Sequence, residues 1–290
     1  MMTWWGLALV ISFGTCVFFN LNKTFQLDGL RARGWSTGCA ALILTPCLFV
    51  FDWPDSPVFY VCAFAAALLM SYAGEITFNL SAKYGGPLVS LSKPLAILCA
   101  FFIWAAIEFS ETIVMLSDPL RVLGISLAFV LAFWSQLRLI KDNVNIKQAM
   151  KYLIVAALIS GMVSPIVKYG MSYTVEVQQV LIWIFFFHGL GSILCFTRHA
   201  LKRNNEPVYS KGFVKFGLTL GPFHVVIGAM FAWAVHLSPN PAFVSLITLL
   251  STVWLMLYYA LRGQEAHVKP KSVAMLLTAA VVLVLSTKGI

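Results

Sequence analysis

The chain has 290 residues, of which 60% are hydrophobic and only 11% are charged, and its mean hydropathy is +0.86. Soluble proteins carry about 25% charged residues, so this composition excludes a water-soluble globular protein and is typical of a polytopic membrane protein. The formal net charge of +9 comes from short basic clusters between apolar runs. A nucleic-acid-binding protein needs one continuous basic face, so nucleic acid is excluded as a partner.

Apolar segments of about 17–25 residues are long enough to cross the bilayer core as helices. The sequence contains ten of them, joined by short connections, so each helix is predicted to lie antiparallel to the next. Spans five and ten contain almost no polar residues, which predicts a peripheral position for both. The predicted spans are residues 3–21, 34–51, 57–80, 87–108, 120–136, 149–169, 177–200, 212–236, 240–261 and 270–287.

Basic residues mark one side of the membrane. Lysine and arginine concentrate in the loops that follow odd-numbered spans, and the loop before span two carries Lys23, Arg31 and Arg33. The opposite loops carry acidic residues, among them Asp52 and Asp118. Because basic loops stay in the cytoplasm, both termini are predicted to be extracytoplasmic. The chain, with its short loops, is expected to be a multi-pass protein of a cell inner membrane.

The two halves of the sequence share a pattern. A shift of 154 positions superimposes Gly74 on Gly228 and Pro87 on Pro241, and it aligns the stretch KYGGPLVSLSKP with LSPNPAFVSLIT. Each half holds five spans, an odd number, so the second half enters the membrane upside down relative to the first. Inverted repeats are common in secondary transporters, whose substrate site lies between the repeats.

Each of these stretches consists of a helix end and a Pro-containing turn, followed by a helix with scattered polar residues. In this they resemble the ten-helix drug/metabolite transporter superfamily, in its EamA-type branch, and the resemblance covers nearly the whole chain. It implies an all-α membrane protein of two inverted, EamA-like five-helix repeats, residues 1–146 and 147–290. It also implies transport of a metabolite, since the substrates of that family include amino acids, drugs and cations.

Polar residues four apart lie on one face of a helix. Span three carries such a stripe, Ser71, Glu75 and Asn79, and span four carries Ser90 and Lys93 near its start. A charge inside a bilayer costs at least about 2.5–3.5 kcal/mol, and Glu75 and Lys93 have the same predicted depth on antiparallel helices. We therefore predict that these two residues pair and line the cytoplasmic half of a substrate cavity, with the other three beside them. A static ion pair that only holds two helices together is the alternative.

Three further residues complete the predicted substrate-binding set: Ser164 in span six, His224 in span eight and Thr248 in span nine. Small polar residues also let helices pack closely, which is the alternative for Ser164 and Thr248. Lys168, near the outer end of span six, is expected to extend its ammonium group to the membrane interface.

The sequence contains no HExxH or GxSxG motif, no Cys/His ligand spacing and no nucleotide-binding loop. No enzymatic activity, catalytic residue, metal site or cofactor is therefore predicted.

The predicted function is a secondary transporter that exports a small metabolite across the inner membrane by alternating access, with proton coupling through Glu75 as a further hypothesis. A cavity with one acid and one base suits a zwitterion, so amino acids or related compounds are the expected substrates. The alternatives are an organic-cation or drug efflux carrier with Glu75 as the attractor, a channel, and a non-transporting partner subunit. The expected partners are the small-molecule substrate and the lipid bilayer, with the protein as a monomer or homodimer.

Overall fold

The computed structural model describes residues 3–25, 27–84, 89, 92–140, 146–174, 176–202, 207–262 and 270–287. All regular secondary structure in these ranges is helical, which confirms the predicted all-α class. The helices are α1 (Trp4–Phe25), α2 (Gly29–Leu44), α3 (Cys47–Val50), α4 (Pro57–Tyr84), α5 (Lys93–Ile107), α6 (Phe109–Leu116), α7 (Pro119–Ile140), α8 (Ile146–Met171), α9 (Gln179–Leu201), α10 (Lys211–Leu237), α11 (Pro241–Thr248), α12 (Ser251–Leu261) and α13 (Pro270–Thr287).

Several of these helices can cross a membrane. Within the described ranges, seven segments are long and apolar enough to do so. Helices α5 and α6 are bent relative to each other by 111°, and they add an eighth segment if the pair forms one span. Helix α1 is apolar over the shorter stretch Trp4–Phe18. The seven segments are Pro57–Leu80, Pro119–Arg138, Ala149–Met171, Gln179–Leu201, Lys211–Leu237, Pro241–Leu261 and Pro270–Thr287.

Helix α2 begins five residues before the predicted start of span two. The Asp28 side chain accepts a hydrogen bond from the backbone N–H of Arg31 at 3.1 Å, and such an N-cap satisfies a backbone donor that the first turn leaves free. The prediction that Arg33 lies in a loop is therefore wrong. Arg33 lies inside α2, and its side chain is only 5% exposed.

The helices at the centre of the bundle pack closely against one another. Helix α2 packs against α9, α10 and α4, helix α4 packs against α8 and α9, and α1 packs against α10, α11 and α12. Helices α7 and α13 pack mainly against each other, and the Ser135 hydroxyl donates to the backbone oxygen of Ser272 at 2.7 Å. The peripheral position predicted for these two spans is confirmed.

Small residues allow the central helices to approach closely. Cβ atoms added at Gly34 and Gly38 of α2 would meet side chains of α9, and the Ser192 hydroxyl of α9 donates to the backbone oxygen of Gly34 at 2.8 Å. On another face of α2, Gly217 and Gly221 of α10 lie against its backbone. Dispersion contacts and interhelical hydrogen bonds hold helices together in a membrane, so these contacts stabilise the centre of the bundle.

Gly161→Ala is expected to destabilise the protein. A Cβ at position 161 would lie 2.8 Å from the backbone oxygen of Ala96 and 2.6 Å from Cβ of Cys99, so α5 and α8 must separate, and overpacking of this kind costs about 1–3 kcal/mol. Gly191→Ala is the matched control, because nothing lies within 4 Å of its Cβ position. Thermal unfolding in detergent should give a lower midpoint only for the first variant; equal midpoints would contradict the α5–α8 contact.

Candidate functional site

A cavity of about 360 Å³ lies among α1, α2, α4, α5, α8, α9, α10 and α11. Most of its lining side chains are apolar, but four basic residues reach it. These are Arg33, Lys93, His188 and His224. A cavity of this size, with a mainly apolar wall and a few polar groups, has the properties of a small-molecule site.

Four of the eight residues predicted to bind substrate line this cavity, namely Lys93, Ser164, His224 and Thr248. Ser164 is buried, and its hydroxyl has no hydrogen-bond partner among the described residues. The Thr248 hydroxyl donates to the backbone oxygen of Ser245 at 2.7 Å. The Lys93 ammonium group lies 3.4 Å from the Ser251 hydroxyl. Of the rest, Ser90 lies outside the described residues.

Glu75 does not pair with Lys93 as predicted, and it is not one of the described residues that line the cavity. Its two carboxylate oxygens bind two cations of α9: Oε2 lies 2.6 Å from Nη2 of Arg198, and Oε1 lies 2.5 Å from Nζ of Lys202. Arg198 is held in place further, because its guanidinium lies 3.6 Å from the ring centroid of Tyr72. The carboxylate is thus neutralised where it lies.

The predicted Glu75–Lys93 pair is wrong because depth alone does not bring two side chains together. Helix α8 packs against both α4 and α5, so it lies between two helices that are consecutive in the sequence. Glu75 faces α9 on a different side of α4. The sequence indicates how deep a residue lies in the membrane, but not which neighbour its side chain faces.

Ser71 and Asn79 of α4 bind backbone groups. The Ser71 hydroxyl donates to the backbone oxygen of Leu68 at 2.7 Å, within its own helix. Oδ1 of Asn79 accepts a hydrogen bond from the backbone N–H of Gly29 at 2.8 Å, which satisfies a donor at the start of α2. Neither residue lines the cavity.

Arg33 and His188 line the cavity but were not among the residues predicted from the sequence. His188 is 3% exposed, its Nε2 lies 3.3 Å from the backbone oxygen of His224, and the two rings have centroids 5.2 Å apart. The side chain of Arg33 passes over Gly74, where any Cβ would clash with it. Asp28 was the signal that could have identified Arg33, since an N-cap at that position moves the start of the helix back past Arg33.

Lys168 does not extend its ammonium group to the interface as expected. Nζ donates to the backbone oxygens of Ser238 at 2.5 Å and His236 at 3.2 Å, and it lies 5.0 Å from the ring centroid of Trp104. These contacts join α8 to the end of α10 and to Ser238, which follows it. Among the described residues, no group of three or more His, Cys, Asp or Glu is placed to hold a metal ion.

Glu75→Gln is expected to destabilise the protein by about 3 kcal/mol, because it leaves the largely buried Arg198 without a counter-charge. Lys202→Gln should cost at most about 1 kcal/mol, since Lys202 is 49% exposed and exposed ion pairs contribute little. The double variant Glu75→Gln with Arg198→Gln should recover part of the loss. Thermal unfolding midpoints of these variants and of Arg198→Gln alone would measure this coupling, and an additive double variant would contradict it.

Comparisons with known proteins give a likeness of fold. No family model and no curated protein matches the chain. Among solved structures, one crystal structure of a protein superposes on this chain with a TM-score of 0.61 at 12% sequence identity, over 98% of this chain and 99% of that chain. At that identity the similarity concerns the fold alone, and it extends over the full length of the bundle.

Proposed function

We propose that the chain is a secondary transporter that exports a small polar metabolite across the inner membrane by alternating access. The observation that carries this proposal is the cavity, which is lined by basic and hydroxyl side chains and lies between helices of both halves of the sequence. Polar and charged residues inside a membrane bundle are costly and commonly mark substrate pathways. The bundle has room there for a small molecule.

The proposal includes ten spans in two inverted repeats of the drug/metabolite transporter type. In this arrangement α1, α2, α4, α5 and α7 correspond to α8, α9, α10, the α11–α12 pair and α13. The packing supports the correspondence, because contacts occur in matching pairs. The contact of α4 with α8 corresponds to that of α10 with α1, and the contact of α2 with α10 corresponds to that of α9 with α4. Three contacts join a helix to its own counterpart in the other half. They are α2–α9, α5–α11 and α7–α13.

One pair of side chains supports the same correspondence at the cavity. Gly74 of α4 leaves room for the side chain of Arg33 from α2, and Gly228 of α10 lies against His188 of α9, with a Cβ position 3.2 Å from Nε2. Gly74 and Gly228 are the glycines that the 154-position shift superimposes, and the two basic residues are 155 positions apart. Each half then contributes one basic side chain, from its second span, to the cavity.

The charge distribution supports extracytoplasmic termini. The guanidinium of Arg31, at the start of α2, donates to the backbone oxygen of Pro207 at 3.1 Å, so the basic start of α2 lies beside the start of α10. Lys211 and Lys215 belong to the first turns of α10, and Arg198 and Lys202 lie at the end of α9. These basic ends meet at one end of the bundle, which the positive-inside rule assigns to the cytoplasm.

A periplasmic reporter fused to the C-terminus tests this orientation. We expect an alkaline phosphatase fusion to be active and a fluorescent-protein fusion to be dark, since the first folds only outside the cytoplasm and the second only within it. Fusions after Lys202, in the loop that follows α9, should give the opposite pair of results. A fluorescent C-terminus would reverse the proposed orientation.

The contacts of Glu75 bear on the choice of substrate. An amino-acid substrate and an organic cation were both expected because Glu75 was predicted to line the cavity. Since both of its carboxylate oxygens bind cations of α9, Glu75 supports neither cation attraction nor proton coupling at the cavity. The side chains that do line the cavity are the better guide to its ligand.

Counterflow in proteoliposomes tests the transporter proposal. Vesicles are loaded with one class of unlabelled compound (amino acids, small organic acids or small organic amines) and diluted into traces of the same labelled compounds. A carrier accumulates tracer transiently above its equilibrium level, whereas a channel only equilibrates it. We expect this overshoot for one class and none in protein-free vesicles.

Two tryptophan variants make the test specific to the cavity. Ser164→Trp should abolish the overshoot, because the new side chain fills the cavity. Val281→Trp should keep it, because Val281 lies on the peripheral helix α13 and is 57% exposed. Flux without overshoot would indicate a channel, and folded protein with no flux of any class would contradict transport of these compounds.

A further inference from the structure

We propose that the cavity binds an amphipathic organic anion, such as an aromatic carboxylate, with Arg33 as the residue that binds its anionic group. The inference rests on the proposed function, since it names the class of substrate that the transporter would take. It replaces the zwitterion and the organic cation with a molecule that has one negative end and one apolar end.

Arg33 is a buried charge that has no counter-ion among the described residues. Arg33 is 5% exposed and lines the cavity, and its Nε has no hydrogen-bond partner among the described residues. Guanidinium keeps its charge in proteins. The described carboxylates that form ion pairs do so elsewhere: Asp28 with Arg31, Asp118 with Arg121, and Glu75 with α9.

Other polar atoms near the cavity wall could assist Arg33. Nε2 of His224 and Nδ1 of His188 are buried and have no hydrogen-bond partner among the described residues. A neutral imidazole carries one N–H donor. His224 can present this donor to an anion from Nε2, whereas His188 directs its own donor at the His224 backbone oxygen. The Lys93 ammonium group reaches the cavity from α5 and adds a second positive charge to its wall.

The described lining contains no aspartate or glutamate. A cavity with basic groups and no acid offers an ammonium group no partner, and it places like charges against a cation. Bringing an ammonium group into such a site leaves that charge unpaired in a medium of low polarity. The lining is therefore expected to bind an anion more tightly than a zwitterion of similar size. It should bind a cation most weakly.

The rest of the wall indicates an apolar body on the same ligand. Ile97, Trp183 and Phe231 line the cavity together with other aliphatic and aromatic side chains. A volume of about 360 Å³ lies at the lower end of the range for small-molecule sites. A small aromatic or branched aliphatic acid satisfies both the basic groups and the apolar wall.

The test uses benzoate as the probe, with benzamide and benzylammonium as controls of the same shape but neutral and positive charge. The purified protein is heated in detergent with increasing amounts of each compound, because a ligand that binds the folded state raises the unfolding temperature in a saturable way. We expect benzoate to raise it, and benzamide and benzylammonium to have no comparable effect.

Variants of Arg33 assign the effect to that residue. Arg33→Gln should raise the half-saturating concentration of benzoate at least about tenfold, because the variant loses a hydrogen bond to a charged group. Arg33→Lys should bind benzoate with an affinity between those of the unmodified protein and Arg33→Gln, since an ammonium group cannot form the bidentate contact of a guanidinium. Arg121→Gln, which removes the same charge from the Asp118 ion pair, should bind benzoate like the unmodified protein.

Several outcomes would overturn the proposal: equal stabilisation by benzamide, stronger stabilisation by benzylammonium, or unchanged benzoate binding in Arg33→Gln. If that variant does not fold, the ranking of the three probes on the unmodified protein and the Arg33→Lys result decide the question. Arg33-dependent binding of benzoate without benzoate counterflow would support the anion site and count against transport of this class. Counterflow of another class without benzoate binding would support the transporter and refute the anion site.

Discussion

The contact between α2 and α9 lies at the centre of the bundle, and the positions of the other helices follow from it. Gly34 and Gly38 bring the α2 backbone close to α9, where the Ser192 hydroxyl donates to the Gly34 backbone oxygen at 2.8 Å. Helix α4 packs against both members of the pair, and α10 packs against α2 beside it. Because Arg33 immediately precedes Gly34, the same contact that joins the helices directs a guanidinium group toward the cavity.

Charged groups elsewhere in the bundle bind partners at its two ends. At the basic end, Glu75 joins α4 to α9 through Arg198 and Lys202. At the other end, Lys168 joins α8 to the end of α10 and to Ser238. The helices that these two contacts join also line the cavity.

The sequence was informative about what depends on composition and period, and less so about what depends on rotation. The membrane-spanning helices and the peripheral position of α7 and α13 were predicted from the apolar runs. Ser164, His224 and Thr248 were predicted to line the cavity because polar residues are conspicuous in such runs. The Glu75–Lys93 pair failed because the angular position of a side chain depends on packing with α8, a helix some fifty residues later in the chain. Arg33 was missed for a different reason: a basic residue near a helix start is expected to stay at the interface, and the cap at Asp28 that overrides this expectation is a local signal.

The sharp bend after α5 and the early end of α2 have a consequence for the surrounding lipid. At a rise of 1.5 Å per residue, the 15 residues of α5 and the 16 residues of α2 extend over about 22 and 24 Å, less than the hydrocarbon thickness of about 30 Å. Hydrophobic mismatch of this kind is relieved when the bilayer thins locally or when the neighbouring helices tilt. Both short helices line the cavity, so a deformation of the bilayer there acts on the cavity wall. The length of the lipid acyl chains then affects this part of the protein. The effect comes from the energy of deforming the membrane and not from any contact with a ligand.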